Sequence, residues 1–193
     1  MNETSKAFRR RWKEDMGDVL PFKWHDLLTG QGIDLGAGPD PVPLPNFRAF
    51  DQKDGDANHL TRYFKPDTFD VIHGSQVLEH MRDPAAALRD WLVCLKPGGY
   101  IIQTVPSWEL YETLVWPSRF NGDHKSTWSL WLPNSPAPIH CKLPEWLDQF
   151  GCEVMLCRLV DANYDYRIMQ KFDQTWEEAR GTECWLEFVL KKP

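Results

Sequence analysis

The chain has 193 residues, 42% of them hydrophobic and 26% charged, with a formal net charge of −6. That length suits one domain with a sizeable core, and the composition is that of a soluble globule. The acidic balance gives no electrostatic footprint for nucleic acid or an anionic membrane, and no apolar run approaches the ~20 residues of a membrane span.

Residues 1–29 read as an N-terminal helical cap. Phe8, Trp12, Met16, Val19 and Leu20 recur at spacings of three and four, with Arg9, Arg10, Arg11 and Lys13 around that stripe. Met1 to Lys13 is polar and basic rather than signal-like. Pro21 ends the helix, and Trp24 to Leu28 adds a short second turn.

The segment Gly32-Ile33-Asp34-Leu35-Gly36-Ala37-Gly38-Pro39-Asp40 then reads as a buried strand breaking into a glycine-lined turn. Glycine is required where φ is positive or where a ligand approaches the backbone. Pro39, Pro41, Pro43 and Pro45 crowd the next few residues, so any helix there is short or irregular. Asn46 to Phe50 is the second strand, ending at Asp51. Asp51 lies 17 residues beyond Asp34, near the ~20 expected between a glycine loop and a ribose-binding acid. Asp56 suits an N-cap for Ala57 to Tyr63.

Phe69 to His73 is another strand, after the turn Pro66-Asp67-Thr68, with Gly74, Ser75 and Gln76 at its carboxyl end. Asp83 and Pro84 open a helix to Leu95, and Pro97-Gly98-Gly99 stops the chain before a strand from Tyr100 to Val105. Residues 106–138 are rich in Trp, Pro and Ser, including Trp108, Trp116, Trp128 and Trp131. Ile139 to Phe150 reads as a helix with Pro144 near its start and Gly151 as its stop. Glu153 to Val160 and Cys184 to Leu190 are the last strands, and 161–182 between them is polar and partly helical. The cysteines Cys94, Cys141, Cys152, Cys157 and Cys184 are odd in number and form no C-x-x-C pair. Reduced thiols in a cytoplasmic protein are the expectation.

The set Asp34-Leu35-Gly36-Ala37-Gly38, Phe69-Asp70-Val71-Ile72, Leu78-Glu79-His80 and Leu95-Lys96-Pro97-Gly98-Gly99 resembles the class I S-adenosylmethionine-dependent methyltransferases. The likeness is to the small-molecule branch with "FDxI…LEH…LKPGG" and spans roughly residues 30 to 107. Singly each motif is unspecific. The resemblance implies a single domain over 1–193, α/β and doubly wound, with a mostly parallel seven-stranded sheet and an antiparallel edge strand in a Rossmann-like methyltransferase fold. Parallel pairing also comes from the alternation of strands and helices. Residues 30–105 become the cofactor-binding half, 106–138 a lid or acceptor insertion, and 139–193 the C-terminal helix and strands.

The resemblance also assigns residues. Asp34, Gly36, Ala37 and Gly38 fall at the methionyl end of S-adenosylmethionine, Asp51 and Gln52 at the ribose, Asp56 and Ala57 at the adenine, and Gly74 and Ser75 along the cleft. Asp40 stands where many relatives carry a third glycine, which weakens a dinucleotide fingerprint. In one quinone-biosynthesis branch E-x-x-E-H binds a divalent metal. Here Gln76 replaces the first acid, and one carboxylate with one imidazole is a poor magnesium site, so no metal is expected. His80 reads as a histidine hydrogen-bonded beneath the loops.

Asn121-Gly122-Asp123-His124-Lys125 resembles a "PDH" element found in this region of many relatives. His124 sits in the loop over the acceptor side, with Asp123 beside it to orient it, and is the candidate general base. The activity implied is methyl transfer to an oxygen, nitrogen or carbon of a small-molecule acceptor, with no nucleic acid or membrane partner; a homodimer is one assembly compatible with it. A non-catalytic cofactor-binding or interaction module is the alternative. An NAD-dependent oxidoreductase would want G-x-G-x-x-G. A nucleic-acid amino-methyltransferase would want [N/D/S]-P-P-[Y/F] after the Phe69 strand, whereas Val105-Pro106-Ser107-Trp108 comes after the next one.

Overall fold

A computed structural model describes residues 3–168, 172–176 and 180–193. Helix α1 (Glu3–Met16) and the short α2 (Trp24–Leu27) precede strands β1 (Gly32–Leu35), β2 (Phe47–Phe50) and β3 (Phe69–Ser75). Helix α3 (Pro84–Cys94) leads to β4 (Leu95–Pro106), β5 (Thr127–Ser129) and β6 (His140–Lys142). Helix α4 (Glu145–Asp148), β7 (Glu153–Val160) and β8 (Trp185–Lys191) complete the chain.

Six strands form one sheet in the order β2-β1-β3-β4-β8-β7. β2, β1, β3 and β4 pair in parallel; β8 runs antiparallel to β4 on one side and to the edge strand β7 on the other. The doubly wound, mostly parallel sheet with an antiparallel edge is therefore present, but with six strands rather than seven. The strand missing beside β2 has no chain to make it. Only residues 51–68 separate β2 from β3, and a turn at 52–54 and a 3₁₀ stretch at Ala57–Arg62 occupy much of that length. A parallel neighbour needs a crossover of a dozen or more residues each way.

Local chemistry places each element. Asp83 accepts from the Ala85 and Ala86 N–H groups with Pro84 behind it, a cap that starts α3. Between β1 and β2 the prolines leave no helix, and Val42 N–H instead donates to Asp34 Oδ2 at 2.8 Å. Asp40 accepts from the Ser5 N–H at 2.8 Å, so this loop caps the first turn of α1 from across the fold. Ile139 to Phe150 is not one helix: its first part is β6, paired in parallel with β5, and only Glu145–Asp148 is helical. Leu147 is buried there, and Trp146 and Phe150 pack on the core.

The larger core lies on the α3 face, with Ile33, Leu35, Ile72, Leu88, Trp91, Ile101, Trp128, Leu186 and Phe188. The opposite face is covered by α1 and α2 through Trp24, Leu27, Val71, Ile102 and Val189. Between β7 and β8 there are single 3₁₀ turns at Tyr166–Ile168 and Gln174–Trp176; the rest of the expected helical character, at 169–171 and 177–179, lies outside the described residues, as do residues 1 and 2 of the N-terminal cap. The five cysteines are free. Among the described residues no helix is long and apolar enough to cross a membrane.

Candidate functional site

β1, β2 and β3 end side by side at one edge of the sheet, where a doubly wound fold leaves a crevice. A cleft of about 330 Å³ lies there, lined by Gly36, Asp51, Gln52, Asp56, Ala57 and, across from them, Gln76, Val77 and His80. Asp123 and Lys125 close one side of it. Of the residues anticipated from sequence, Gly36, Asp51, Gln52, Asp56, Ala57 and Asp123 therefore line the cleft. Asp34, Ala37, Gly38, Gly74, Ser75 and His124 are not among its lining residues.

Gly36 is a glycine by necessity. Its φ is +64°, and a Cβ there would meet Val77 Cγ2 at 2.8 Å. Asp51 is half-buried at the end of β2; its Oδ1 accepts from the Gln52 N–H at 2.7 Å. Asp56 caps the 3₁₀ stretch by accepting from Asn58 N–H at 2.9 Å, and Arg82 Nη2 donates to its Oδ2 at 2.8 Å. The Asn58 hydrogen bonds hold the Asp56 carboxyl below its ordinary range.

Asp34 faces inward. Its Oδ2 takes the Val42 N–H, and its Oδ1 takes His73 Nδ1–H at 2.7 Å. His73 is fully buried, and Arg11 Nη1 donates to its Nε2 at 3.1 Å. Burial pushes the His73 pKa down, so the imidazole is neutral, with its proton on Nδ1 facing the carboxylate. Gly74 lies under Gln103: a Cβ at position 74 would meet Gln103 Oε1 at 2.5 Å. Ser75 Oγ shares a hydrogen bond with Thr104 Oγ1 at 3.0 Å.

Two histidines stand at the other side of the cleft, His80 on its wall and His124 packed behind it. His124 is 8% exposed, and its Nδ1 meets Glu112 Oε1 at 2.5 Å. Tyr111 and His80 pack on its ring at centroid distances of 5.6 and 5.0 Å. Asp123, expected to orient His124, turns instead to His80, with Oδ2 3.1 Å from His80 Nδ1, and to Lys125. Burial opposes charge on His124, but the Glu112 hydrogen bond and Glu79 outweigh it and raise its pKa. Beneath both rings lies Glu79, fully buried, its carboxyl pushed up to about 8 by burial. His80 is thus a half-buried wall of the cleft, and its own pKa is lowered by burial and by His124.

Sequence reasoning missed Glu112. Its signal was an acid inside the aromatic run Trp108-Glu109-Leu110-Tyr111-Glu112, where a charge is costly to bury unless it has a partner.

Several proteins similar to this chain are methyltransferases. The sequence profile of a methyltransferase domain matches residues 19–156. An uncharacterised methyltransferase of Schizosaccharomyces pombe is 37% identical over 60 residues; that match covers 31% of this chain and 21% of the relative. An S-adenosylmethionine-dependent methyltransferase from Archaeoglobus fulgidus superposes with a TM-score of 0.57 at 15% identity, over 100% of this chain and 95% of that one. A Haloferax volcanii methyltransferase solved with the Trm112 methyltransferase activator gives 0.56 at 15% identity, over 100% and 99%. The two structures share the fold with this chain.

Proposed function

The chain belongs to the methyltransferase-domain family, as a class I S-adenosylmethionine-dependent methyltransferase, and on that premise we propose that its acceptor is a small molecule. The observation that carries this reading is the position of the His80, His124 and Glu112 cluster at one end of the cleft that starts at Gly36 and Asp51.

The residues present fit the cofactor. Positive φ at Gly36 and Gly38 turns the backbone out of β1, and a side chain at Gly36 would collide with Val77. Asp51 brings a carboxylate to the end of β2, where it accepts from ribose hydroxyls. A volume of about 330 Å³ lies within the range of small-molecule sites. S-adenosylmethionine, when bound, supplies a methyl already activated on a sulfonium.

The protein's task is then to position the acceptor and exclude water. Gly36, Ala37 and Gly38 offer backbone to the methionyl end, while Asp34, holding Val42 and His73, keeps that turn in place. Gln52 supports Asp51 at the ribose; Asp56 and Ala57 border the adenine; Gly74 and Ser75, outside the lining, end β3 beside the cleft. His124, oriented by Glu112, takes the proton that an oxygen or amine acceptor loses. Asp123 reaches this step only through His80. The insertion 106–138, which brings Asp123 and Lys125 to the cleft, is the acceptor wall.

The test is calorimetry with S-adenosylmethionine and its demethylated product, followed by turnover against a panel of small hydroxyl, amine and carbon acceptors. Micromolar cofactor binding, roughly −8 kcal/mol, with turnover of at least one acceptor supports the reading. Cofactor binding with no turnover across the panel favours the non-catalytic module, and turnover only of protein or nucleic-acid substrates overturns the small-molecule assignment.

A further inference from the structure

Glu79 stands in the single turn Leu78–His80 that comes after β3. Its side chain is fully buried, and neither carboxyl oxygen has a hydrogen-bond partner. An acid left so in a folded interior is costly, so the group calls for a ligand.

Two imidazole nitrogens face it. His80 Nε2 and His124 Nε2 each lie 3.9 Å from the same oxygen, Glu79 Oε1. One donor atom from each of the three residues fits within 4.8 Å of the others. Each ring is held on its opposite nitrogen by a different carboxylate, His80 Nδ1 by Asp123 at 3.1 Å and His124 Nδ1 by Glu112 at 2.5 Å. A carboxylate on Nδ1 keeps the proton there and leaves the lone pair on Nε2, which is how metal-bound histidines are oriented. Three carboxylates thus surround the two rings, and Lys125 pairs with one of them, Asp123.

We propose that Glu79 Oε1, His80 Nε2 and His124 Nε2 bind a divalent transition-metal ion of the zinc class. Two imidazoles and one carboxylate suit zinc or cobalt; magnesium prefers oxygen ligands and water. Donors about 2.1 Å from a tetrahedral ion are about 3.4 Å apart, so closing the site brings each imidazole nitrogen about 0.5 Å nearer Glu79 Oε1 and draws the three donors in from a spread of up to 4.8 Å. His80 lines the cleft, so the remaining coordination position opens toward it. The sequence spoke against a metal because Gln76 stands in place of an acid. The donor that changes this is His124, 45 residues beyond Glu79. The His124 lone pair serves one partner at a time: with a metal bound, His124 is a ligand and not a proton acceptor.

The full chain, stripped with a chelator, is titrated with Co²⁺ and then with Zn²⁺. One equivalent of Co²⁺ should bind, with the visible bands of a four- or five-coordinate nitrogen–oxygen site, and Zn²⁺ should displace it. His80→Ala and His124→Ala should each weaken binding at least about tenfold. His80 is half-buried, so its removal spares the core, and circular dichroism checks that both variants fold. Failure to take up Co²⁺ at millimolar concentration, or equal uptake by wild type and both variants, overturns the site. Cofactor binding measured in parallel reads the methyl-transfer proposal separately, since its loss would leave the metal titration unaffected.

Discussion

Glu112 Oε1 and His124 Nδ1 stand 2.5 Å apart with both side chains almost wholly out of solvent. The histidine is therefore oriented by an acid twelve residues upstream, and its neighbour Asp123 holds a different histidine.

The first prediction rests on that pair. His124→Gln should lower turnover of the true acceptor by about 10²–10⁴-fold, the range of an acid–base group. Glu112→Gln keeps the shape but loses the charge, and should lower turnover in the same direction. Neither substitution touches the Asp51 end of the cleft, so cofactor affinity by calorimetry should stay within error. A loss below about fivefold in both would assign the rate to positioning alone.

The second concerns Asp51. It lines the cleft at the end of β2 and, apart from the Gln52 N–H, faces the space assigned to the ribose. Asp51→Ala should cost about 1.5–3 kcal/mol of cofactor affinity, the scale of hydrogen bonds to a charged group. Unchanged affinity would move the ribose elsewhere in the cleft.

What the sequence made legible was local. Asp34 to Gly38 and Asp51 announce a strand, a turn and an acid within one βαβ-like span, and the cap Asp83-Pro84 announces α3. What it hid depends on pairing at a distance. His140–Lys142 carries no strand signal of its own and becomes β6 because Thr127–Ser129 lies beside it. Glu112 meets His124 across an irregular loop that no periodicity describes. The seventh strand was a family expectation that the 18 residues at 51–68 are too few to satisfy.

A third prediction concerns acid stability. Glu187 is fully buried on β8, bound by Arg10, Arg11 and Arg158 from α1 and β7, with Glu14 and Glu183 sharing those guanidiniums. Burial opposes its charge, but Arg10 and Arg11 outweigh that and hold its carboxyl well below the usual range. A depressed native pKa means that the unfolded chain binds the proton first. The stabilisation is thus full at neutral pH and is lost as pH falls below about 4.3, the unfolded value. Glu187→Gln should cost about 3–5 kcal/mol at pH 7, because it leaves the buried Arg11 guanidinium without a carboxylate. It should also flatten the acid limb of a stability–pH curve from denaturant melts. An unchanged acid limb would show that other carboxylates set it.

The last prediction separates the tryptophans of residues 106–138. Trp128 is fully buried within the main core, edge-on to Trp146 at 4.8 Å, and its Nε1–H donates to Ser126 Oγ at 3.0 Å. Trp131, three residues on, is 60% exposed. Truncating a buried tryptophan removes its transfer energy and leaves a cavity, so Trp128→Ala should cost about 3–5 kcal/mol. For a chain of this size that is a fall in Tm of about 10 °C or more. Trp131→Ala should change stability by no more than about 0.5 kcal/mol. If Trp131 belongs to the acceptor wall, its truncation raises KM for the acceptor while leaving Tm and cofactor affinity alone. Limited proteolysis adds an independent readout: cleavage within 114–123 should slow when demethylated cofactor and acceptor are both bound. Equal Tm losses in the two variants, with the same proteolysis rate free and bound, would make the whole segment core and remove it from acceptor binding.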